Sequence, residues 1–169
     1  PTPKYSMQYT FRTLSTVLVA ALLGLTLAAC GGSSSDSGSE DGVDRELTLQ
    51  PEGNQIKYAT TELTAQAGET VRLIFENTAD SPAMVHNVLV LNTNDESVVE
   101  RVGTGAQEAG KAADYVPNDD AIIAHTPLSQ PGETVEVTFT VPEEPGEYTY
   151  LCTYPGHWSM MQGTLVVEA

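Results

Sequence analysis

From Arg45 onward the chain runs in short stretches that alternate apolar and polar residues, and this rhythm limits the fold more than any other feature. A period of two sends successive side chains to opposite faces, so each stretch reads as a strand with one buried face. Strands are expected at Glu46-Gln50, Ile56-Ala65, Glu69-Glu76, His86-Leu91, Ala121-His125, Glu133-Val141, Gly146-Cys152 and Gly163-Glu168, in an antiparallel arrangement. Ala67-Gly68, Gln130-Pro131-Gly132 and Glu143-Glu144-Pro145-Gly146 separate them, because Pro presets φ and Gly accepts positive φ. Ser97 to Asp120, rich in Ala, Gly and Glu, breaks the alternation and reads as a flap with a short helix before the turn at Pro117-Asn118. Eight short strands and one insertion in the region 45–169 fit an all-β chain, a single two-sheet Greek-key β-sandwich with one core. Tyr148, Tyr150 and Phe139 alternate within strands and are expected to fill that core or cover a sheet.

The segment Leu151-Cys152-Thr153-Tyr154-Pro155-Gly156-His157-Trp158-Ser159-Met160-Met161 concentrates a thiol, an imidazole and two thioethers. A strand ending at Cys152, a turn at Tyr154-Pro155-Gly156 and a return strand from Gly163 put these groups on one loop around one point. Thiolate and thioether are soft donors and select copper over hard cations. A further ligand has to come from another segment, and only His86 and His125 remain. His86 opens an apolar strand just after the turn at Pro82 and is favoured. His125 closes its strand before a polar turn and reads as solvent-facing.

Cys152-Thr-Tyr-Pro-Gly-His157-x-x-x-Met161-x-Gly-Thr-Leu resembles the copper loop of the azurin type within the cupredoxin, or blue-copper, family. Met84-x-His86-Asn87 resembles that family's upstream ligand segment, and Asp114-Tyr115-Val116-Pro117-x-Asp119 with Ile122-Ile123-Ala124-His125-Thr126 is similar to the part following its flap. The likeness covers about residues 46–169. It implies a cupredoxin fold and one copper ion, Cu(I)/Cu(II), per chain. His86, Cys152 and His157 are then the equatorial ligands and Met161 the long axial one, with a weak contact from the Val85 carbonyl and Asn87 steadying the loop and the thiolate. Val85 stands where the azurin type has Gly, and the azurin disulfide has no counterpart. Met160 is one residue out of phase for a ligand. With Met84, Pro155 and an exposed Trp158 it forms an expected apolar rim where a redox partner docks. The implied activity is electron transport by a type 1 (blue) copper protein, not an enzyme. The alternative is copper delivery or storage without redox turnover. A copper enzyme of the nitrite-reductase kind needs a second histidine-rich site that three histidines do not furnish.

The front of the chain reads as an export signal over residues 1–29: Lys4 and Arg12 precede an apolar run from Leu14 to Ala29, too short to span a bilayer comfortably. Leu27-Ala28-Ala29-Cys30 resembles the lipobox of bacterial lipoproteins, which makes Cys30 the lipidated first residue and leaves Cys152 the one free thiol. Residues 30–44, rich in Gly, Ser and acid, read as a flexible tether to the domain at 45–169. Loss of residues 1–29 leaves five basic against 23 acidic residues, a formal charge of −18, which excludes nucleic acid as a partner. The expected setting is the cell envelope, on the periplasmic side of a bacterial membrane and anchored through Cys30. The expected partners are redox proteins such as cytochromes or respiratory complexes.

Overall fold

The computed structural model of the protein describes residues 42–169. The signal segment, Cys30 and the tether up to residue 41 lie outside the described residues. Eight strands form two sheets: β1 (Arg45–Leu49), β3 (Thr70–Glu76) and β6 (Thr134–Thr140) in one, and β2 (Glu62–Gln66), β8 (Gln162–Glu168), β7 (Gly146–Leu151), β4 (Leu89–Leu91) and β5 (Ile122–His125) in the other, each in that spatial order. Val71, Leu73 and Phe75 of the first sheet and Tyr148, Tyr150, Leu165 and Val167 of the second fill one shared core, so the molecule is the expected two-sheet sandwich. The region ahead of β1 starts folding two residues earlier than the composition implied. Val43 is buried, and Asp44 exchanges bonds with Thr70: its backbone N–H donates to the Thr70 carbonyl, and its carboxylate accepts from the Thr70 N–H at 2.8 Å. Among the described residues no helix is long and apolar enough to cross a membrane.

Three expectations need correcting. The sheets are not wholly antiparallel, because β1 pairs with β3 and β2 with β8 in parallel. The chain crosses to the second sheet for β2 and returns for β3, so first and third strands run alike; alternation has the same period in either pairing and does not show direction. The stretch Ile56-Ala65 is regular strand only from Glu62. Before that it loops, with an isolated bridge from Pro51 to Tyr58 that carries the Tyr58 ring fully into the core. His86-Leu91 is regular strand only from Leu89, since the Val88 N–H donates to the Thr126 hydroxyl and His86 is tied to Ser129 by an isolated bridge.

The flap holds a longer helix than expected, α1 (Glu96–Ala109), of 14 residues. Asp95 caps it, its carboxylate accepting from the Ser97 N–H at 2.8 Å, and Val99, Val102 and Ala106 give it a buried stripe at helical spacing. Gly103 lies on that stripe. A Cβ there would fall on the indole ring of Trp158, so glycine allows the helix to close onto the sheet. In an exposed helix Gly→Ala gains about 1 kcal/mol. Here the sign reverses: Gly103→Ala is expected to cost about 1–3 kcal/mol by overpacking, measured by denaturant unfolding of the metal-free protein.

Candidate metal centre

Local structure brings the donors to one end of the sandwich. Tyr148 and Tyr150 alternate inward along β7, and Cys152, the next residue in phase, points into the same core. The ladder with β8 continues one step past Leu151 and Gln162, the Cys152 N–H donating to the Met161 carbonyl at 3.0 Å. Directly opposed residues of an antiparallel pair share a face, so Cys152 and Met161 are buried side by side. Between them Tyr154–His157 is a tight turn with Pro155 and Gly156 at its centre. Gly156 has φ 84°, and the His157 N–H donates to the Tyr154 carbonyl at 2.9 Å. One helical turn follows, the Met161 N–H donating to the His157 carbonyl at 2.9 Å, and this spacing puts His157 and Met161 on one side. β4 lies beside β7, so the residue three before β4, His86, arrives at the same end.

His86, Cys152 and His157 form the one group of potential metal donors found among the described residues, and all three are buried. Their atoms make a near-equilateral triangle: Nδ1 to Nδ1 is 3.2 Å, and Cys152 Sγ lies 3.8 Å from His86 Nδ1 and 3.6 Å from His157 Nδ1. A point about 2.1 Å from all three atoms exists at the centre of a triangle with those sides, the bond length of a first-row metal to nitrogen and a little under that to sulfur.

Burial keeps the donors uncharged without an ion. It lowers the His86 pKa to about 4, with the neighbouring His157 ring adding to the effect, and lowers that of His157 as well. It pushes the Cys152 thiol up to about 12, against the opposing pull of the Asn87 and Tyr154 backbone amides. Protons serve such a pocket poorly. Two imidazole nitrogens 3.2 Å apart share at most one hydrogen between them, and His86 Nε2 has no hydrogen-bond partner among the described residues, its ring meeting Phe75 edge-on at 6.2 Å. Lone pairs that converge on one point in a dry cavity suit a cation, and two imidazoles with a thiolate suit copper.

Asn87 fastens the surrounding segments. Its side-chain oxygen accepts from the Thr153 N–H at 2.8 Å, while its nitrogen donates to the Thr153 hydroxyl and to the Asp114 carbonyl, each at 2.9 Å. The Tyr58 hydroxyl donates to the Asn87 carbonyl at 2.9 Å. Tyr58, Thr153 and Tyr154 were not singled out in the sequence for this role. Thr153 sits inside the motif, but Tyr58 lies in a stretch whose pattern read as plain strand.

The remaining site residues divide. Val85 is buried, Met84 and Pro155 are half-buried, and Met160 is 58% exposed. Trp158, expected as an exposed rim residue, is half-buried and packs under α1 against the cluster that includes Val99, Val102 and Leu151. His125 is exposed at the end of β5 and takes no part in the donor group.

A two-sheet sandwich that closes two imidazoles and a thiol around one point, with a thioether beside them, defines the blue type of copper protein. Residues 45–168 match the family described as copper binding proteins, plastocyanin/azurin family, and the chain belongs to that family. It is 39% identical over 170 aligned residues to auracyanin-A of Chloroflexus aurantiacus, covering 96% of this chain and 100% of that one. With the azurin of Alcaligenes faecalis it shares 41% identity over 99 residues, 57% of this chain and 75% of the azurin. The solved structure of auracyanin A, described as a "blue" copper protein from a green thermophilic photosynthetic bacterium, superposes with a TM-score of 0.67 at 40% identity, over 73% of this chain and 98% of that one. The protein is thus an azurin-like cupredoxin that binds one copper per chain, an electron-transfer protein and not an enzyme.

The protonation state has a measurable consequence. At pH 7 both imidazoles are neutral and the thiol is protonated, so loading copper is expected to release one proton per chain, from Cys152. Calorimetry in buffers of different ionisation enthalpy counts it. A count near two would mean that an imidazole is charged in the metal-free protein.

Proposed function

We propose that the protein is a type 1 (blue) copper protein carrying single electrons between redox partners at a membrane surface. In this reading His86, Cys152 and His157 bind equatorially, Met161 is the long axial donor, and the Val85 carbonyl makes a weak fifth contact. The observation that carries it is the buried donor triangle, too closed to admit a substrate and already at bonding size. Copper supplies one-electron exchange between Cu(I) and Cu(II). The protein's own part is to hold the donors still: Ser129 pins the His86 backbone on both sides at 3.1 and 2.7 Å, and Asn87 pins Thr153 next to Cys152. Delivery or storage needs an exchangeable metal, and burial of all three donors argues against that.

The half-buried Met84 and Pro155 and the exposed Met160 form the docking rim in this proposal, beside His157. Charge indicates the kind of partner. The described residues include 20 acidic side chains against five basic ones, and four of the five, Arg45, Lys57, Arg72 and Arg101, are paired with carboxylates. A redox protein with a basic face, such as a cytochrome or a respiratory complex, fits this surface. The lipid anchor on Cys30 and the periplasmic setting rest on Leu27-Ala28-Ala29-Cys30 and its apolar lead. An alignment with auracyanin-A over 96% of the chain also reaches well ahead of the folded domain.

Adding Cu(II) is expected to produce an intense visible thiolate-to-copper band that Cys152→Ser abolishes. Metal bound without that band would favour storage over electron transfer. The rate constant with a basic c-type cytochrome is expected to fall several-fold between about 0.01 and 0.1 M salt, as the screening length shortens from roughly 30 to 10 Å. A rate that rises with salt would exclude a basic partner. Cys30→Ser is expected to release the protein from the membrane fraction.

A further inference from the structure

We propose that the flap forms part of the electron-exchange face, with Tyr115 as the contact through which a basic redox protein reaches the metal site. This deepens the carrier reading above and rests on it; what it adds is where the electron leaves.

His157 is the ligand nearest the surface, yet it is only 4% exposed. One side of its ring is covered by Tyr154, with centroids 5.0 Å apart and planes at 52°. Tyr154 is met in turn by Tyr115, at 5.5 Å and 80°. Both tyrosines are half-buried, so this stack leads from the donor triangle to solvent. Tunnelling decays faster across solvent gaps than through packed atoms, and a partner resting on Tyr115 is joined to His157 by packed rings throughout.

The backbone beneath Tyr115 shows that this position is held against its own preference. Asp114 and Tyr115, at φ 51° and 57°, are the only non-glycine residues with positive φ among the described residues, and they are consecutive. Such a pair persists only where its surroundings force it. Here the Tyr115 N–H donates to the Gly110 carbonyl at 3.0 Å, and the Asp114 carbonyl accepts from Asn87, the residue next to the ligand His86. Glycine would suit the backbone better at 115. What tyrosine adds is the ring set edge-to-face against Tyr154.

Charge selects the partner. Between residues 95 and 120 the flap carries seven acidic side chains against two basic ones, and Arg101 is held by Asp119 at 2.8 Å. Asp114 precedes Tyr115 directly, so a positive surface is drawn to the tyrosine stack. The reaction is transfer of one electron from the reduced protein to a ferric cytochrome, oxidising one and reducing the other, with no proton or atom exchanged.

The test uses the copper-loaded protein and stopped-flow rate constants with two oxidants, a basic c-type cytochrome and a small cobalt complex that can approach His157 from any side. Tyr115→Gly is expected to slow the cytochrome reaction about tenfold, with the visible spectrum unchanged and the cobalt reaction within about twofold of the parent. Tyr115→Phe, which keeps the ring, is expected to restore the cytochrome rate. A purely structural role for Tyr115 would move both oxidants together. Should Tyr115→Gly fail to fold, Glu108→Gln combined with Asp114→Asn carries the test, with an expected shallower dependence of the cytochrome rate on ionic strength. An unchanged cytochrome rate in Tyr115→Gly, or an unchanged salt slope in the charge variant, overturns the proposal. A parent protein that exchanges electrons with neither oxidant overturns the carrier reading itself, and this proposal with it.

Discussion

Three lone pairs meeting in a dry pocket are the constraint on which the rest of the molecule depends. Without an ion the arrangement is unfavourable: the two imidazoles share at most one hydrogen, and His86 Nε2 has no hydrogen-bond partner among the described residues. A pocket of this kind relaxes by turning a ring or opening a loop unless the surrounding structure prevents it. The sandwich prevents it by assigning the donors to different structural supports. His86 is locked to Ser129, Cys152 extends the β7 ladder, and His157 is fixed by a glycine turn on one side and a helical turn on the other. The thiol held near 12 and the imidazoles held neutral follow from the same burial, so the charge state of the site is a property of the packing.

Much of this was legible in the sequence, for reasons tied to particular residues. Pro155-Gly156 specifies a turn by its own backbone chemistry, and the phase Tyr148, Tyr150, Cys152 aims the thiol inward with no knowledge of the fold. The resemblance covered the same segments. What stayed hidden was of three kinds. Strand direction was hidden because parallel and antiparallel partners share one period, as β1 and β3 show. The length of α1 was hidden because glycine disfavours a helix interior and the stretch is rich in it, while Gly103 is where the helix accommodates Trp158. Tyr58 was hidden because its contribution is a single hydroxyl bond to the Asn87 carbonyl, far away in sequence.

Asn87 shows how a small residue comes to govern a site. Its backbone carbonyl is held by Tyr58 from the core, its amide oxygen and nitrogen hold Thr153 on the ligand loop, and its nitrogen also holds Asp114 on the flap. Removing a buried partner of this kind leaves several groups unsatisfied at once, each costing about 1–3 kcal/mol, so such networks resist gradual change.

The flap is therefore not an ornament on the sheet. It is tied to the ligand loop directly by Trp158 packing under Gly103, and indirectly by Asp114, which is bonded to Asn87, itself bonded to Thr153 on the loop. A loop held against a 14-residue helix in this way cannot shift without disturbing the flap, and the helix is itself packed on Leu89, Leu91 and Leu151 of the sheet. Trp158 then has a different use from the one its position beside a ligand suggested. Half-buried as a wedge, it stiffens the loop; fully exposed on a rim, it would have met a partner and left the loop free. A site whose donors must stay in place while its charge changes by one gains more from the first arrangement, and contact with partners is left to residues that can be exposed without loosening the donors.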